Sequence, residues 1–150
     1  MANEPYSLFF PLENSPGFII YRTALQMKSS LQRTFTQRGY DITTEQWSIL
    51  LSLWEKDGRT QQEIADKTCK DKANITRFID DLERAGYVSR KPDHKDRRKH
   101  AVHLTSRGKE LRKELMPIVR DLWKSINRGI SPRELATTTK ILTSIFKNLS

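Results

Sequence analysis

Residues 60–105 of this 150-residue chain read TQQEIADKTCKDKANITRFIDDLERAGYVSRKPDHKDRRKHAVHLT. Thr60, with Glu63 three positions later, has the spacing of a capping box and predicts the start of a short helix. Asp71 is the expected N-cap of a second, longer helix, which Gly86 should end. The apolar positions of the two helices recur at helical spacing and predict a buried face made of Ile64, Ala65, Ile75, Phe78, Ile79 and Leu82.

A β-hairpin is predicted directly after the second helix. Residues 87–90 and 100–104 alternate between apolar and polar side chains, as short strands do. The segment 90–99 contains six Lys or Arg residues against two Asp, a net charge of +4 in ten residues. A helix-turn-helix followed by a hairpin with a basic tip predicts a mainly α fold with a small β-hairpin wing, and it indicates DNA binding.

The composition of the whole chain agrees with a basic binding protein of one domain. The net charge is +9 and the pI is about 9.8, which favours a polyanionic partner. Only 36% of the residues are hydrophobic, while 30% are charged. So few apolar residues, spread over long helices, indicate that a partner completes the core.

Several classes of function are not expected from this sequence. The single cysteine, Cys69, allows neither an intramolecular disulfide nor a multi-cysteine metal site. His94, His100 and His103 lie in or beside the hairpin with no cluster of further ligands, and are interpreted as polar wing residues. No signal peptide or apolar membrane-spanning run is present, so a cytoplasmic protein is expected. No nucleophile–base pair stands out, and neither an enzyme nor a cofactor is predicted.

Helices are also predicted on both sides of the motif, over 17–38, 44–56, 105–127 and 131–148. Thr43 with Gln46 and Ser131 with Glu134 have capping-box spacing and predict the starts of two of these helices. The expected apolar face of the helix over 44–56 is Trp47, Leu50, Leu51 and Trp54. Residues 1–16 contain three prolines but also several large apolar side chains, and an arm that packs on another surface is expected there. Little within 60–104 is left to cover the apolar stripes of the flanking helices, which favours a dimer.

The candidate DNA contacts fall into two groups. The second helix of the motif offers polar side chains for base edges in the major groove, although a solvated polar face has the same composition: Lys72, Asn74, Thr76 and Arg77. In the wing, Arg97 and Arg98 suit a narrow minor groove. The wing lysines suit phosphate contacts: Lys91, Lys95 and Lys99. Asp96 either holds an arginine in an extended pose or serves as a turn residue.

The motif resembles the MarR (multiple antibiotic resistance) family of winged-helix regulators. The resemblance is carried by Gln62-Glu63-Ile64-Ala65, by Ile79-x-x-Leu82-Glu83-x-x-Gly86-Tyr87-Val88, by Asp96-Arg97-Arg98 and by Leu104-Thr105-x-x-Gly108. The first element is common to many helix-turn-helix proteins. The Asp-x-Arg wing followed by Leu-Thr-x-x-Gly is much more specific.

The resemblance implies a homodimer that places its two wings on a pseudopalindromic DNA site. The chain is then one MarR-like domain, with residues 1–38 and 105–150 in dimerisation and 43–104 as the DNA-binding lobe. The dimer contacts are expected at Ile118, Leu122, Leu135, Leu142, Ile145 and Phe146. Two-fold symmetry would set the recognition helices about 34–36 Å apart.

The resemblance also implies a small aromatic or phenolic effector in a cleft beside the lobe. The candidate lining residues are Phe18, Tyr21, Trp47 and Trp54, for which burial in the core is the alternative. Cys69, close to several lysines, is a candidate redox sensor. Family members of that type usually carry the cysteine near the N-terminus, where this chain has none.

The predicted function is therefore a homodimeric, ligand-responsive repressor that binds double-stranded DNA. The alternative is a winged-helix module that binds RNA or protein without a regulating ligand. The two hypotheses differ in the role of the Asp96-Arg97-Arg98 wing tip and in the need for an effector-sized cleft.

Overall fold

A computed structural model of the protein describes residues 11–150, and it has the predicted mainly helical winged-helix fold. After a short 3-10 turn at Leu12–Asn14, the helices are α1 (Pro16–Gln37), α2 (Thr44–Glu55), α3 (Gln61–Thr68), α4 (Lys72–Arg84), α5 (Ser106–Ile126) and α6 (Pro132–Asn148). The strands are β1 (Arg59–Thr60), β2 (Val88–Pro92) and β3 (His100–Leu104). Most of the predicted N-terminal arm lies outside the described residues. Among residues 11–150, no helix has the length and apolar character needed to cross a membrane.

The described chain divides into two compact units, one up to Met116 and one from Pro117 to Ser150. The first unit contains α1 to α4, the three strands and the first half of α5. The second contains the rest of α5 and all of α6, joined by a turn in which Gly129 has a φ of 81°. The assignment of residues 43–104 to DNA binding and of the flanking segments to dimerisation stays a prediction.

The predicted helix starts are confirmed by their hydrogen bonds. Capping boxes begin α2 at Thr43, α3 at Thr60 and α6 at Ser131. In α3 the backbone N–H of Thr60 donates to the Glu63 carboxylate over 2.7 Å. This bond favours the charged form and holds the pKa of Glu63 below its usual range. The sequence predicted these three starts because a capping box lies entirely within four consecutive residues.

The core of the first unit lies where α2, α3, α4 and the sheet meet. Ile64, Ile75, Ile79, Leu82, Val88 and Val102 are each no more than 2% exposed. The predicted apolar face of α2 was partly wrong, because Leu51 is 39% exposed while Ile49 and Leu53 are buried. The reason is that α2 contacts α1, α3, α4 and β3, so most of its circumference is covered. A single-sided stripe is the wrong template for such a helix.

The wing belongs to a three-stranded antiparallel sheet with the order β1-β3-β2. The predicted hairpin of β2 and β3 is confirmed, with Arg90 opposite Val102. The strand β1 was not predicted. It contributes only Arg59 and Thr60, which pair with Val102 and Ala101. Two residues are too few to show the alternation by which a strand is recognised in a sequence.

The Leu-Thr-x-x-Gly motif forms the joint between the wing and α5. The Thr105 hydroxyl donates to the Gly86 carbonyl over 2.6 Å and accepts the Gly108 N–H over 3.1 Å. The Trp54 indole N–H donates to the Gly108 carbonyl over 2.9 Å. A Cβ at position 108 would lie 2.1 Å from the Tyr87 carbonyl oxygen. The start of α5 therefore lies so close to the wing that only glycine fits.

We predict that Gly108→Ala destabilises the protein by about 1–3 kcal/mol, because the new methyl group must push backbone away from backbone. Equilibrium unfolding in urea measures the loss. Gly17→Ala is the matched control, since Gly17 also lies in a helix but a methyl group added there would have no neighbouring atom within 4 Å. The control should be neutral or slightly stabilising. Equal stabilities of the two variants would contradict this account of the joint.

Candidate nucleic-acid interface

The helix-turn-helix is formed by α3 and α4, with Cys69 at the turn between them. Cys69 has a φ of 53°, the only positive φ of a non-glycine residue among those described, and it ends α3. Asp71 then begins α4 and accepts the backbone N–H of Asn74 over 2.9 Å. This hydrogen bond holds the pKa of the Asp71 carboxyl below its usual range, so α4 starts with an ionised cap.

The predicted base-reading side chains all lie exposed on the first half of α4: Lys72, Asn74, Thr76 and Arg77. The structure brings two of them together in one chain of contacts. The Asn74 amide donates to Asp71 and accepts from the Arg77 guanidinium over 3.3 Å. Arg77 also lies over the Phe78 ring, 5.0 Å from its centroid. Both contacts restrict the guanidinium while leaving most of its N–H donors free in the described structure.

Thr76 is exposed, but its hydroxyl is hydrogen-bonded to other groups of the protein. It donates to the Lys72 carbonyl over 3.0 Å and accepts from the Gln61 side-chain amide over 3.0 Å. The Gln61 oxygen in turn accepts from the Arg90 Nε over 2.9 Å. Thr76 is therefore linked through Gln61 of α3 to Arg90 of β2.

Arg90 connects the wing to both helices of the motif, a role that sequence reasoning missed. Its two terminal nitrogens donate to Asp80 and Glu83 of α4, each over 2.6 Å. Its own backbone N–H donates to Glu83 over 2.9 Å. The Arg90 side chain is only 19% exposed, in contrast to the exposed cations farther along the wing. The signal available in the sequence was the pair of carboxylates three residues apart on α4.

The remaining wing cations stay exposed: Lys91, Lys95, Arg97, Arg98 and Lys99. Among residues 11–150, no salt bridge includes any of these five, nor Lys72 or Arg77. Of the two roles left open for Asp96, the structure agrees with that of a turn residue. Its carboxylate accepts the Arg98 backbone N–H over 3.0 Å, and its carbonyl accepts the Lys99 N–H over 2.9 Å. Asp96 therefore orients the wing tip without neutralising an arginine.

The four aromatic candidates for an effector site do not meet in one place. Trp47 is 5% exposed and packs between Phe35 and Trp54, with ring centroids 5.5 and 5.4 Å away, so it is a core residue. Of the four, Trp54 alone lines an open cavity of about 670 Å³. Phe18 and Tyr21 lie on α1, and Tyr21 is 61% exposed. The cavity lies between α2, the end of α3 and α5, and it is lined by Ser48, Leu51, Ser52, Trp54, Glu55, Lys67, Thr68, Arg112 and Met116.

Cys69 and the histidines belong to no metal-binding cluster in the described part of the chain. Cys69 is exposed, as a redox role requires, and that role stays a prediction. The Nδ1 of His103 lies 3.9 Å from Asp57, in a sheet position rather than at the wing tip. Within residues 11–150, no three potential metal ligands cluster.

We predict that substitution of one wing arginine lowers stability, whereas substitution of another weakens DNA binding. Arg90→Gln should destabilise the protein by about 1–2 kcal/mol, because Asp80 and Glu83 lose their shared cation in a partly exposed site. Arg98→Gln should leave stability within about 0.5 kcal/mol. It should make the log–log salt dependence of duplex binding shallower by about 0.9 for each phosphate that the side chain no longer neutralises. Urea unfolding and binding titrations at several salt concentrations separate the two roles, and unchanged stability of Arg90→Gln would contradict the first.

Comparisons with known proteins agree with this geometry. The protein-family model described as "MarR family" matches residues 42–100. The HTH-type transcriptional repressor YetL of Bacillus subtilis is 29% identical over 133 residues, covering 87% of this chain and 78% of YetL. A MarR transcriptional regulator from Methanosarcina mazei has a similar structure, with a TM-score of 0.76, 28% identity and coverage of 88% of this chain and 94% of that one.

A further solved structure has the same fold at lower sequence identity. It is that of BpsR from Bordetella bronchiseptica, whose DNA binding is regulated by 6-hydroxynicotinic acid. The TM-score is 0.82 at 22% identity, and the match covers 91% of this chain and 96% of BpsR. With its helix-turn-helix, its basic wing and these relatives, the chain belongs to the MarR family of winged-helix transcriptional regulators, which act by binding DNA and not by catalysis.

Proposed function

We propose that this protein is a homodimeric, ligand-responsive repressor that acts in the cytoplasm on a pseudopalindromic operator. The observation that carries the proposal is that one lobe presents two sets of cations, on α4 and on the wing, and that none of them forms a salt bridge within residues 11–150. The two elements that carry these cations are joined through Arg90. In this proposal α4 enters the major groove with Lys72, Asn74, Thr76 and Arg77. Arg97 and Arg98 enter the minor groove, and the wing lysines contact phosphate.

The dimer is supported by apolar side chains that the protomer leaves uncovered. No residue of α6 is buried, although its sequence is amphipathic. Its exposed large apolar residues include Leu135, Leu142, Ile145 and Phe146, which are 40–58% exposed. A soluble monomer rarely leaves so much apolar surface on one helix. We assign these residues, together with Ile118 and Leu122 of α5, to contacts with a second copy.

The ligand response is assigned to the cavity beside Trp54. The indole offers an aromatic surface, and Met116 adds a flexible apolar side chain. Of the two cations in the lining, Lys67 is paired with Glu55 over 2.6 Å, whereas Arg112 takes part in no salt bridge of the described chain. An aromatic ring that bears a carboxylate fits these groups, and 6-hydroxynicotinic acid, the regulator of BpsR, is such a compound. Phe18 and Tyr21 stay candidates for closing the cavity in the dimer.

Selection of bound duplexes from a random DNA pool tests the proposed function. We expect an inverted repeat with half-sites one helical turn apart, about 10 base pairs from centre to centre, because two-fold protein symmetry imposes two-fold DNA symmetry. Binding to the selected duplex should weaken steeply with salt. Selected duplexes that share no sequence, together with weak and salt-insensitive binding, would contradict the proposal. Equal affinity for RNA would favour an RNA-binding module.

The dimer is tested separately by Leu142→Asp. An aspartate in an apolar interface is costly, so the variant should be monomeric or insoluble, as sedimentation would show. Ser144→Asp introduces the same charge two residues along α6, on the opposite side of the helix, and should stay dimeric. A Leu142→Asp dimer of normal stability would place the interface elsewhere.

The effector is tested by displacement of the selected duplex with benzoic, hydroxybenzoic and hydroxynicotinic acids. At least one acid should release the wild-type protein from DNA. Arg112→Met should need about tenfold more of that acid, because a charge-assisted hydrogen bond is lost. Lys113→Met is the control, since Lys113 neighbours Arg112 but pairs with Glu110 and does not line the cavity. Equal release by the uncharged amides of these acids would contradict the role of Arg112.

A further inference from the structure

We infer that Thr76 recognises a thymine of the operator through its methyl group and not through its hydroxyl. The inference rests on the proposed docking of α4 in the major groove. It goes beyond that docking because it assigns one side chain to one base and excludes the hydrogen bond by which a threonine would ordinarily be expected to read DNA.

The Thr76 hydroxyl has little capacity left for a base. A hydroxyl has one proton and two acceptor positions. The proton is donated to the Lys72 carbonyl, one turn earlier on α4, over 3.0 Å. One acceptor position is filled by the Gln61 amide over 3.0 Å. Thr76 therefore has no donor to offer to a purine N7 or to a guanine or thymine oxygen.

The orientation of Gln61 is enforced by its other partner. The Gln61 side chain contacts the Arg90 Nε over 2.9 Å, and arginine can only donate hydrogen bonds. The Gln61 oxygen must therefore face Arg90, and its amide nitrogen must face Thr76. Arg90 is itself held by Asp80 and Glu83, each over 2.6 Å. The hydroxyl of Thr76 is thus fixed by a network that runs through three elements of the lobe.

The methyl group is what Thr76 has left to present. The residue is exposed on the first half of α4, and the proton of its hydroxyl is donated within the protein. The one acceptor position that Gln61 leaves free can bind only a base amino group, so the group that Thr76 can present to a thymine is the Cγ2 methyl. In the major groove, thymine is distinguished from cytosine by its oxygen and by its C5 methyl. Contact between the two methyl groups removes apolar surface from water, which corresponds to about a fourfold gain in affinity per half-site.

The test uses the duplex obtained by selection, with each symmetric pair of thymines replaced in turn by deoxyuridine, which lacks only the C5 methyl. For one pair, the wild-type protein should lose affinity by roughly 15-fold, fourfold in each half-site. Thr76→Ser, which keeps the hydroxyl, should bind the thymine duplex about as weakly as the wild-type protein binds the deoxyuridine duplex. It should not distinguish uracil from thymine. Thr76→Val, which keeps a methyl group, should retain the discrimination.

The outcomes separate this inference from the proposed function. Selective operator binding without sensitivity to any deoxyuridine, or Thr76→Ser with undiminished sensitivity, would overturn the inference and leave the proposed function intact. Loss of the discrimination in Thr76→Val but not in Thr76→Ser would show that the hydroxyl reads the base, and would also overturn it. Absence of any sequence-selective duplex binding by the wild-type protein would overturn the proposed function itself.

Discussion

The hydrogen bonds and ion pairs of the Arg90 guanidinium are the interactions on which the winged-helix lobe depends. A cation that is only 19% exposed needs counter-charges and hydrogen-bond acceptors, and Asp80, Glu83 and Gln61 supply both. An isolated surface ion pair contributes little to stability. Here one planar group has acceptors on α3 and α4 while its own backbone belongs to β2. The same side chain therefore holds the wing and α4 in place relative to each other.

A second joint fixes the other end of the wing. Thr105 bonds to the Gly86 carbonyl, and Gly108 approaches Tyr87 more closely than any other residue could. The Trp54 indole, which donates to Gly108, links this joint to α2 and to the cavity beside it. Because the same tryptophan lines that cavity, a ligand bound there would contact a residue that also holds the wing. This gives the proposed ligand response a short physical route to the proposed DNA-binding surface.

Much of the fold could be predicted because its signals are local. Capping boxes, helix-ending glycines and the alternation of a hairpin each lie within a few residues, where backbone geometry and neighbouring side chains decide the outcome. The helix starts at Thr43, Thr60 and Ser131, the αL glycine at 86 and the strands of the wing were all foreseen on these grounds. The exposed cations of α4 and of the wing were likewise foreseen, since polar residues opposite a buried stripe must face water.

The sequence by itself thus determined the family, the order of the elements and the charge of the proposed DNA-binding surface. Only the tertiary structure decided which of those charges are paired within the lobe. Arg90 is one of six basic residues in the segment 90–99, and its partners are 7 to 29 positions away along the chain. The same holds for the two-residue strand β1, for the burial of Ile49 in place of Leu51, and for the bound hydroxyl of Thr76. These features depend on which distant groups the packed core brings within hydrogen-bond or van der Waals range, and no local pattern encodes that distance.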